Sequence, residues 1–170
     1  FKLCREKGIY LIEDAAQAHG ASQVMLDGSE LVAGSMGDLG CFSFFPSKNM
    51  AVGGEGGMLT TTVEELTDAV SLVVNHGRSP SLESMQLGSN LRMSEVSAAI
   101  GTVQLSHLDS WVRRRREIAE IYHQAFADHH LISTPKVRPG AKHAWHQYCL
   151  STEYPDELVA HLDQHGIDAR

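Results

Sequence analysis

Short apolar runs alternate with polar, glycine-containing segments along the first part of the chain. Three of these runs predict β-strands, at residues 9–12, 39–45 and 58–62. The polar excursion between the first two runs carries the turn signal Asp27-Gly28. Strands that alternate with helices are typical of an α/β fold with a mostly parallel sheet. Glu13 and Asp14 would then lie at the carboxyl end of a strand, where such sheets bind ligands.

Helical periodicity and end signals predict helices at residues 1–7, 62–76, 94–105, 110–130 and 156–165. The expected N-terminal caps are Thr62, Ser94 and Asp109. Gly77 is expected to end the second helix. The stripe that should face the core on the long fourth helix consists of Ile118, Ile121, Tyr122, Ala125 and Phe126.

The last third of the chain has a different pattern, in which a helix is followed by a strand and another helix. Residues 144–151 alternate like a strand, and Pro155 stands where a helix could begin. We therefore expect residues 1–108 to form part of a large domain. Residues 109–170 would then form a linking helix and the start of a smaller α+β domain.

Composition narrows the classes of function. The chain has 170 residues, 42% of them hydrophobic and 21% charged, which is ordinary for a globular protein. A net charge of −7 argues against a general binder of nucleic acid or of an anionic membrane. The basic cluster Arg113–Arg116 is followed at four-residue spacing by Glu117 and Glu120, so pairing along the helix is expected to explain it.

Other whole-chain features set the expected compartment. No apolar run is long enough to span a membrane, and the three cysteines and ten histidines lack the spacing of metal ligands. We expect a cytoplasmic protein without a metal and with reduced cysteines. The sequence begins with Phe1 rather than Met, so we also expect it to be a piece of a longer chain.

The most distinctive chemistry lies in the segment from Gly40 to Gly57. A strand-like aromatic run ends at Pro46, Lys48 follows, and four glycines then surround one glutamate. Most lysines are surface charges, but a lone amine held by rigid backbone next to a strand favours imine formation with a carbonyl compound. The glycines lack the spacing of phosphate-binding loops, so we interpret them as a turn that passes close to a pocket.

Asp14 is the second candidate. A carboxylate at a strand end is most often a helix cap or a solvated loop residue. A pyridine ring, however, is a strong electron sink only while its nitrogen is protonated, and a neighbouring carboxylate keeps it so. Asp14 and Lys48 on neighbouring parallel strands would hold the two ends of one ring, and the Ser43 hydroxyl, five residues before Lys48, could bind a phosphate.

Several motifs occur in an order that resembles one known family. They are EDAAQAHGA at 13–21, GDLGCFSFFPSKNMAVGGEGGMLTT at 37–61, NHGR at 75–78, GSNLRMSEVSAAIGTVQL at 88–105 and RRREIAEIY at 114–122. Together they resemble the DegT/DnrJ/EryC1/StrS family of pyridoxal-phosphate-dependent sugar aminotransferases, which have the type I aminotransferase fold. The resemblance covers nearly the whole chain, and its most specific part is SFxxxK followed by GEGG.

The resemblance implies pyridoxal 5′-phosphate as the cofactor. Lys48 resembles the lysine that forms the Schiff base, and Asp14 resembles the partner of the pyridinium nitrogen. Gln17 resembles the residue that hydrogen-bonds the phenolic oxygen of the ring. Ser43 resembles the hydroxyl that binds the phosphate.

The resemblance also implies residues outside this group. Asn90 resembles an asparagine that reaches the phosphate of the neighbouring subunit, which implies a homodimer with shared active sites. Arg92 and His146 lie in motifs near the substrate. A branch of the family that has histidine in place of the lysine performs dehydration, so Lys48 favours the aminotransferase branch.

The implied reaction moves an amino group from an amino acid, with glutamate the expected donor, to a nucleotide-linked keto sugar. Family members are considerably longer than this chain, so we expect the isolated chain to bind cofactor poorly and not to turn over. Two alternatives remain open. One is a non-catalytic regulator or sensor that keeps the fold, and the other is an α/β ligand-binding domain without a cofactor.

Overall fold

The computed structural model describes residues 2–170, which form five helices and six short strands. The helices are α1 (Lys2–Lys7), α2 (Glu64–Val74), α3 (Glu95–Leu105), α4 (Leu108–Phe126) and α5 (Pro155–Gln164). The strands are β1 (Ile12–Asp14), β2 (Ser22–Val24), β3 (Glu30–Val32), β4 (Leu39–Ser43), β5 (Gly57–Thr60) and β6 (Ala141–Lys142).

The first sheet has the order β1-β4-β5 and combines both strand directions. β1 runs parallel to β4, whereas β5 is antiparallel to β4. The return is antiparallel because the segment between β4 and β5 is a glycine-containing turn and not the helical crossover that a parallel connection needs. The expected α/β class is confirmed, with a mixed sheet.

The second sheet was missed by the sequence analysis. It has the order β3-β2-β6, and all its pairings are antiparallel. The polar excursion after β1 folds into the β2–β3 hairpin, with the Asp27-Gly28 signal in its turn. Each of its strands has three residues or fewer, which is too short for an alternating pattern to be recognised.

Three of the expected helix boundaries are confirmed. Ser94 caps α3, and its side chain accepts a hydrogen bond from the Ser97 amide. Gly77, with φ +69°, ends α2 by donating from its amide to the Leu72 carbonyl at 2.7 Å. Pro155 opens α5, as its ring geometry favours. No helix within residues 2–170 is both long and apolar enough to cross a membrane.

The other two expected caps are wrong. The residue before α2 is Val63, and no side chain caps the helix there. The hydroxyl of Thr61, and not that of Thr62, accepts a hydrogen bond from the Val63 amide at 3.0 Å. α4 begins at Leu108, one residue before the expected cap Asp109, and ends at Phe126, before the expected residue 130.

The main apolar cluster joins the β4–β5 turn to the start of α4. Its buried members are Phe44, Met50, Val52, Leu108 and Val112. The expected core stripe of α4 is wrong in its main members, since Ile118, Ile121 and Tyr122 are 36%, 56% and 43% exposed. The helix buries Leu108, Val112 and Ala119 instead, because its first half packs against this turn. The division into domains at residue 108 stays a prediction.

The strand expected at residues 144–151 is also wrong. Within this range only Ser151 takes part in a backbone bridge, with Ser133. The carbonyls at the start of the range are bound by side chains from elsewhere in the fold. They are therefore not available to a neighbouring strand.

The backbone of β4 passes close to Gly34 at Gly40. We therefore expect alanine substitutions at two glycines to differ in their effect on stability. A Cβ added at Gly40 would lie 2.3 Å from the Gly34 carbonyl oxygen, whereas one added at Gly54 meets nothing within 4 Å. We expect Gly40→Ala to lower the free energy of unfolding by about 1–3 kcal/mol. The matched variant Gly54→Ala should be close to neutral. Thermal unfolding of the full-length variants checks this, and equal melting temperatures would contradict it.

Candidate active site

The parallel pairing of β1 and β4 brings the segments that carry Asp14 and Lys48 to the same edge of the sheet. Asp14 lies opposite Cys41 in the register, and the Ala15 amide donates to the Cys41 carbonyl at 2.9 Å. β4 ends at Ser43, so the chain continues toward Lys48 from the edge at which Asp14 stands. These two residues thus lie on or just beyond neighbouring parallel strands.

The two carboxylates of β1 have different surroundings. Glu13 is half-buried and accepts hydrogen bonds from the backbone amides of Gly34 and Met36. Asp14 is exposed, and its Oδ1 accepts from the nearby Ala16 amide at 3.0 Å. Glu13 therefore stabilises the loop before β4, whereas Asp14 presents its carboxylate to solvent at the sheet edge.

Lys48 sits in a turn that is held from several directions. Its backbone amide donates to the Phe45 carbonyl at 2.9 Å. The Phe44 amide and carbonyl bond to Gly56 and Val52, at 2.8 and 3.3 Å respectively. Gly56 is required here, because a Cβ would lie 2.5 Å from the Val52 side chain. Within residues 2–170, no hydrogen bond or ion pair engages the Lys48 amine, and the residue is half-buried.

His19 is a site residue that the sequence analysis missed. It is 3% exposed, and its ring lies 5.3 Å from that of Phe42 and 5.8 Å from that of Phe44. Burial is the main cause that lowers the pKa of His19, and the charges of His146 and Lys48 lower it further, against the opposing effect of the Ser43 backbone. The ring is therefore neutral at physiological pH.

Unpartnered polar atoms gather around Lys48. Among residues 2–170, the buried side-chain nitrogens and oxygens without a hydrogen-bond partner are both ring nitrogens of His19, Oδ1 of Asn49 and Nδ1 of His146. The Ser43 carbonyl is near the His19 ring but does not reach hydrogen-bonding geometry. Because such atoms are normally paired, their concentration here indicates a place for a polar ligand or for water. No group of three or more potential metal-binding side chains occurs in this described part of the chain.

Gln17 and His146 come together at one open hollow of about 260 Å³. Gln17 is exposed on the turn after β1, and His146 is half-buried on the segment before α5. Burial lowers the pKa of His146, and the positive charges of Lys48 and Arg115 lower it further. Two of the predicted site residues, Gln17 and His146, thus line one hollow beside the lysine turn.

The remaining predicted residues have different positions. Ser43 is half-buried at the end of β4, and its hydroxyl makes a long hydrogen bond of 3.4 Å with the Phe45 amide. Asn90 and Arg92 are exposed on the loop between α2 and α3, where the Arg92 guanidinium donates to the Asn75 side chain. Within residues 2–170, no hydrogen bond connects this loop to Asp14 or Lys48.

The arginine cluster of α4 does not pair as expected. Arg114 forms the ion pair with Glu117, at 2.9 Å, and Glu120 accepts from Gln124. Arg115 donates to the backbone carbonyls of Trp145 and His146 instead. Arg116 donates to those of Gly20, Lys142 and His143. The prediction failed because spacing along a helix does not reveal carbonyls that another segment brings close.

Comparison with known proteins identifies the family of the chain. The sequence profile of the DegT/DnrJ/EryC1/StrS aminotransferase family matches residues 1–170. The chain belongs to this family. A relative from Streptomyces venezuelae, dTDP-3-amino-3,4,6-trideoxy-alpha-D-glucose transaminase, is 37% identical over 167 residues, which are 98% of this chain and 43% of the relative.

Two solved structures of similar proteins bear on the fold. The crystal structure of Streptomyces venezuelae DesV with a ketimine intermediate superposes with a TM-score of 0.90 and 36% identity, over 98% of this chain and 44% of that one. The structure of Escherichia coli GDP-4-keto-6-deoxy-D-mannose-3-dehydratase with bound hydrated PLP gives a TM-score of 0.83 and 26% identity, over 99% and 48% of the two chains. The chain thus spans less than half the length of these similar proteins.

Burial of His19 predicts a pH dependence of stability. Because the pKa of His19 is lowered in the folded state, the unfolded chain takes up a proton below about pH 6.5 that the folded chain does not. Stability therefore falls as the pH drops from this value through the lowered pKa. We expect His19→Leu to weaken this fall and leave the share due to His143 and His146, whose pKa values burial also lowers.

Melting temperatures measured between about pH 7 and pH 5 test this expectation. The control is His161→Leu, at an exposed histidine of α5, and it should follow the wild-type curve. A His19→Leu protein that loses stability as steeply as wild type over this range would show that the expectation is wrong.

Proposed function

We propose that this chain contributes the central part of the active site of a pyridoxal 5′-phosphate-dependent aminotransferase. The proposed reaction transfers an amino group from an amino acid, with glutamate the expected donor, to a nucleotide-linked keto sugar. The observation that carries the proposal is the approach of the Asp14 and Lys48 segments at one edge of the β1–β4 pair. Membership of the aminotransferase family and the printed activity of the Streptomyces venezuelae relative support it.

The residues at this edge suit the proposed cofactor. Within residues 2–170, Asp14 offers an exposed carboxylate, Lys48 an amine without a hydrogen bond, and Ser43 a hydroxyl with a long one. The ring nitrogens of His19 and His146 that lack partners in this part of the chain add polar groups that could bind a ligand. When bound, pyridoxal phosphate supplies an electron sink for bond breaking at the α-carbon of an amino acid.

Each residue then has a distinct task. The Asp14 carboxylate would keep the pyridine nitrogen protonated, and the Gln17 amide would hydrogen-bond the phenolic oxygen. The Ser43 hydroxyl would donate to the phosphate. Lys48 would hold the cofactor through Nζ and, once free, would carry a proton at that atom as general acid and base.

Asn90 and Arg92 fit a role in a second subunit. Both are exposed, and within residues 2–170 their loop is not hydrogen-bonded to the Asp14 edge. In a symmetric dimer the same surface serves both subunits, so Asn90 of one subunit would reach the phosphate in the other. Arg92 and His146 would then lie on the substrate side of a site shared by a cytoplasmic homodimer.

Replacement of Lys48 is the direct test of the cofactor assignment. Full-length wild-type protein should be yellow, and borohydride reduction should abolish the visible band and attach the cofactor to the peptide that contains Lys48. Lys48→Ala should lack the band and lose about 10²- to 10⁴-fold in kcat. Lys7→Ala, an exposed lysine at the end of α1, is the control and should behave as wild type. Wild type that stays colourless with added pyridoxal phosphate would contradict the assignment as an enzyme of this kind.

The substrate assignment needs a separate measurement. Glutamate and a panel of dTDP- and UDP-linked keto hexoses are incubated with full-length protein, and aminated sugar is measured. If amino acid and keto acid exchange freely but no sugar is aminated, the sugar half of the proposal is wrong and the cofactor half stands.

Shared active sites predict complementation between two inactive variants. A heterodimer of Lys48→Ala and Asn90→Ala subunits has one site with both wild-type residues, so an equal mixture that exchanges subunits should recover about a quarter of wild-type activity. Mixing Lys48→Ala with a Lys48→Ala/Asn90→Ala protein should recover none. Failure of the first mixture after proven subunit exchange would place Asn90 in the site of its own subunit.

A further inference from the structure

Side chains bind five consecutive backbone carbonyls, from the last residue of β6 onward. We call this segment, residues 142–146, the carbonyl strap. Arg116 donates to the carbonyls of Lys142 and His143, at 3.4 and 3.0 Å. Asn49 donates to that of Ala144 at 2.9 Å. Arg115 donates to those of Trp145 and His146, at 2.9 and 3.4 Å.

Beyond Lys142, these side-chain hydrogen bonds take the place of the backbone hydrogen bonds between strands, which the segment lacks. β6 ends at Lys142, and no regular strand or helix follows until α5. Trp145, with φ +48°, adopts a backbone conformation that is uncommon for a residue with a side chain, and its amide donates to the ring of His143 at 3.0 Å. The strap therefore owes its shape to donors on other elements.

The donors connect the strap to both parts of the candidate site. Asn49 directly follows Lys48, so its amide ties the lysine turn to Ala144. Arg116 also donates at 3.0 Å to the carbonyl of Gly20, which lies three residues after Gln17 in the next turn. Val112, one helical turn before Arg116, touches the same turn, since a Cβ on Gly20 would lie 3.0 Å from its side chain.

We infer that Asn49, Arg115 and Arg116 are positioning residues that hold the carbonyl strap and thereby fix His146 opposite Gln17 beside Lys48. The inference rests on the proposed function for its catalytic consequence. These three residues do not touch reacting atoms in this scheme. They act through His146, whose buried Nδ1 has no partner within residues 2–170.

The hollow between the strap and Gln17 suits the hydroxyl groups of a sugar substrate. Its polar lining includes Gln17, Lys136, His143, His146 and Gln147. Amides and imidazoles match the hydroxyl groups of a sugar, whereas the carboxylates of an amino acid prefer the guanidinium of arginine. Burial lowers the pKa of both His143 and His146, which keeps their rings neutral. Arg115 and Arg116 direct their donors to the strap carbonyls.

Two variants on different elements test the inference in the full-length protein. Asn49→Ala and Arg115→Ala should each raise KM for the keto sugar about tenfold, the effect expected from loss of one hydrogen bond of this kind. We expect kcat to stay within about twofold and the visible band of the bound cofactor to be unchanged. The reason is that the variants would lose only substrate binding that is equally strong in the ground state and the transition state. The control is Arg114→Ala, at the exposed ion pair with Glu117, and it should match wild type.

A measurement without cofactor or substrate isolates the strap itself. In the apo protein, amide hydrogen exchange over residues 142–147 should become about tenfold faster in both variants, while the β1–β4 pair keeps its protection. The Asn49→Ala/Arg115→Ala double variant should raise KM by less than the product of the single effects, because both residues hold one segment.

The outcomes separate this inference from the proposed function. Wild-type exchange and wild-type KM in both variants would overturn the inference, and so would a fall in kcat at unchanged KM. Wild-type protein without a visible band or transamination would overturn the proposed function instead. The exchange measurement would in that case still decide whether these side chains hold the strap.

Discussion

The candidate site depends on the parallel pairing of β1 with β4. Since the carboxyl ends of parallel strands point the same way, this pairing brings Asp14 and the segment leading to Lys48 to one edge. The register matters as much as the direction. A slip of one residue would exchange the faces of Glu13 and Asp14, so that the carboxylate that now holds the loop amides would no longer reach them. Gly40 permits the close pass over Gly34 that this register requires.

α4 extends this organisation from the sheet to the later part of the chain. Its first half buries Leu108 and Val112 against the β4–β5 turn. One turn further on, Arg115 and Arg116 bind the carbonyl strap. A backbone carbonyl buried without a donor costs about 1–3 kcal/mol, so the donors on this helix are what allow an irregular segment to lie beside the lysine turn. The same helix thus contributes side chains to the apolar core and holds the carbonyl strap in place.

The sequence predicted the features that are encoded locally. The cap at Ser94, the stop at Gly77 and the start of α5 at Pro155 are each set by residues within one turn of the position. The site motif was predictable for a related reason, since the Asp14 and Lys48 segments both follow recognisable apolar strands. His19 and the strap were missed because their roles depend on contacts over long separations, such as Asn49 to Ala144. The prediction of the α4 stripe failed because the apolar residues of the helix cover one broad face, and packing buries Val112 and Ala119 on one side of it.

The distribution of satisfied and unsatisfied polar groups bears on where a ligand would bind. The five carbonyls of the strap all have donors, although they lie in an irregular segment. The buried side-chain atoms that lack partners within residues 2–170 belong instead to His19, Asn49 and His146. The ring nitrogens of His19 and His146 lie beside one lysine, whose charge acts on both rings. A site whose remaining partners come from a ligand explains this arrangement, and it favours Lys48 as the centre of that site over Lys48 as an ordinary surface charge.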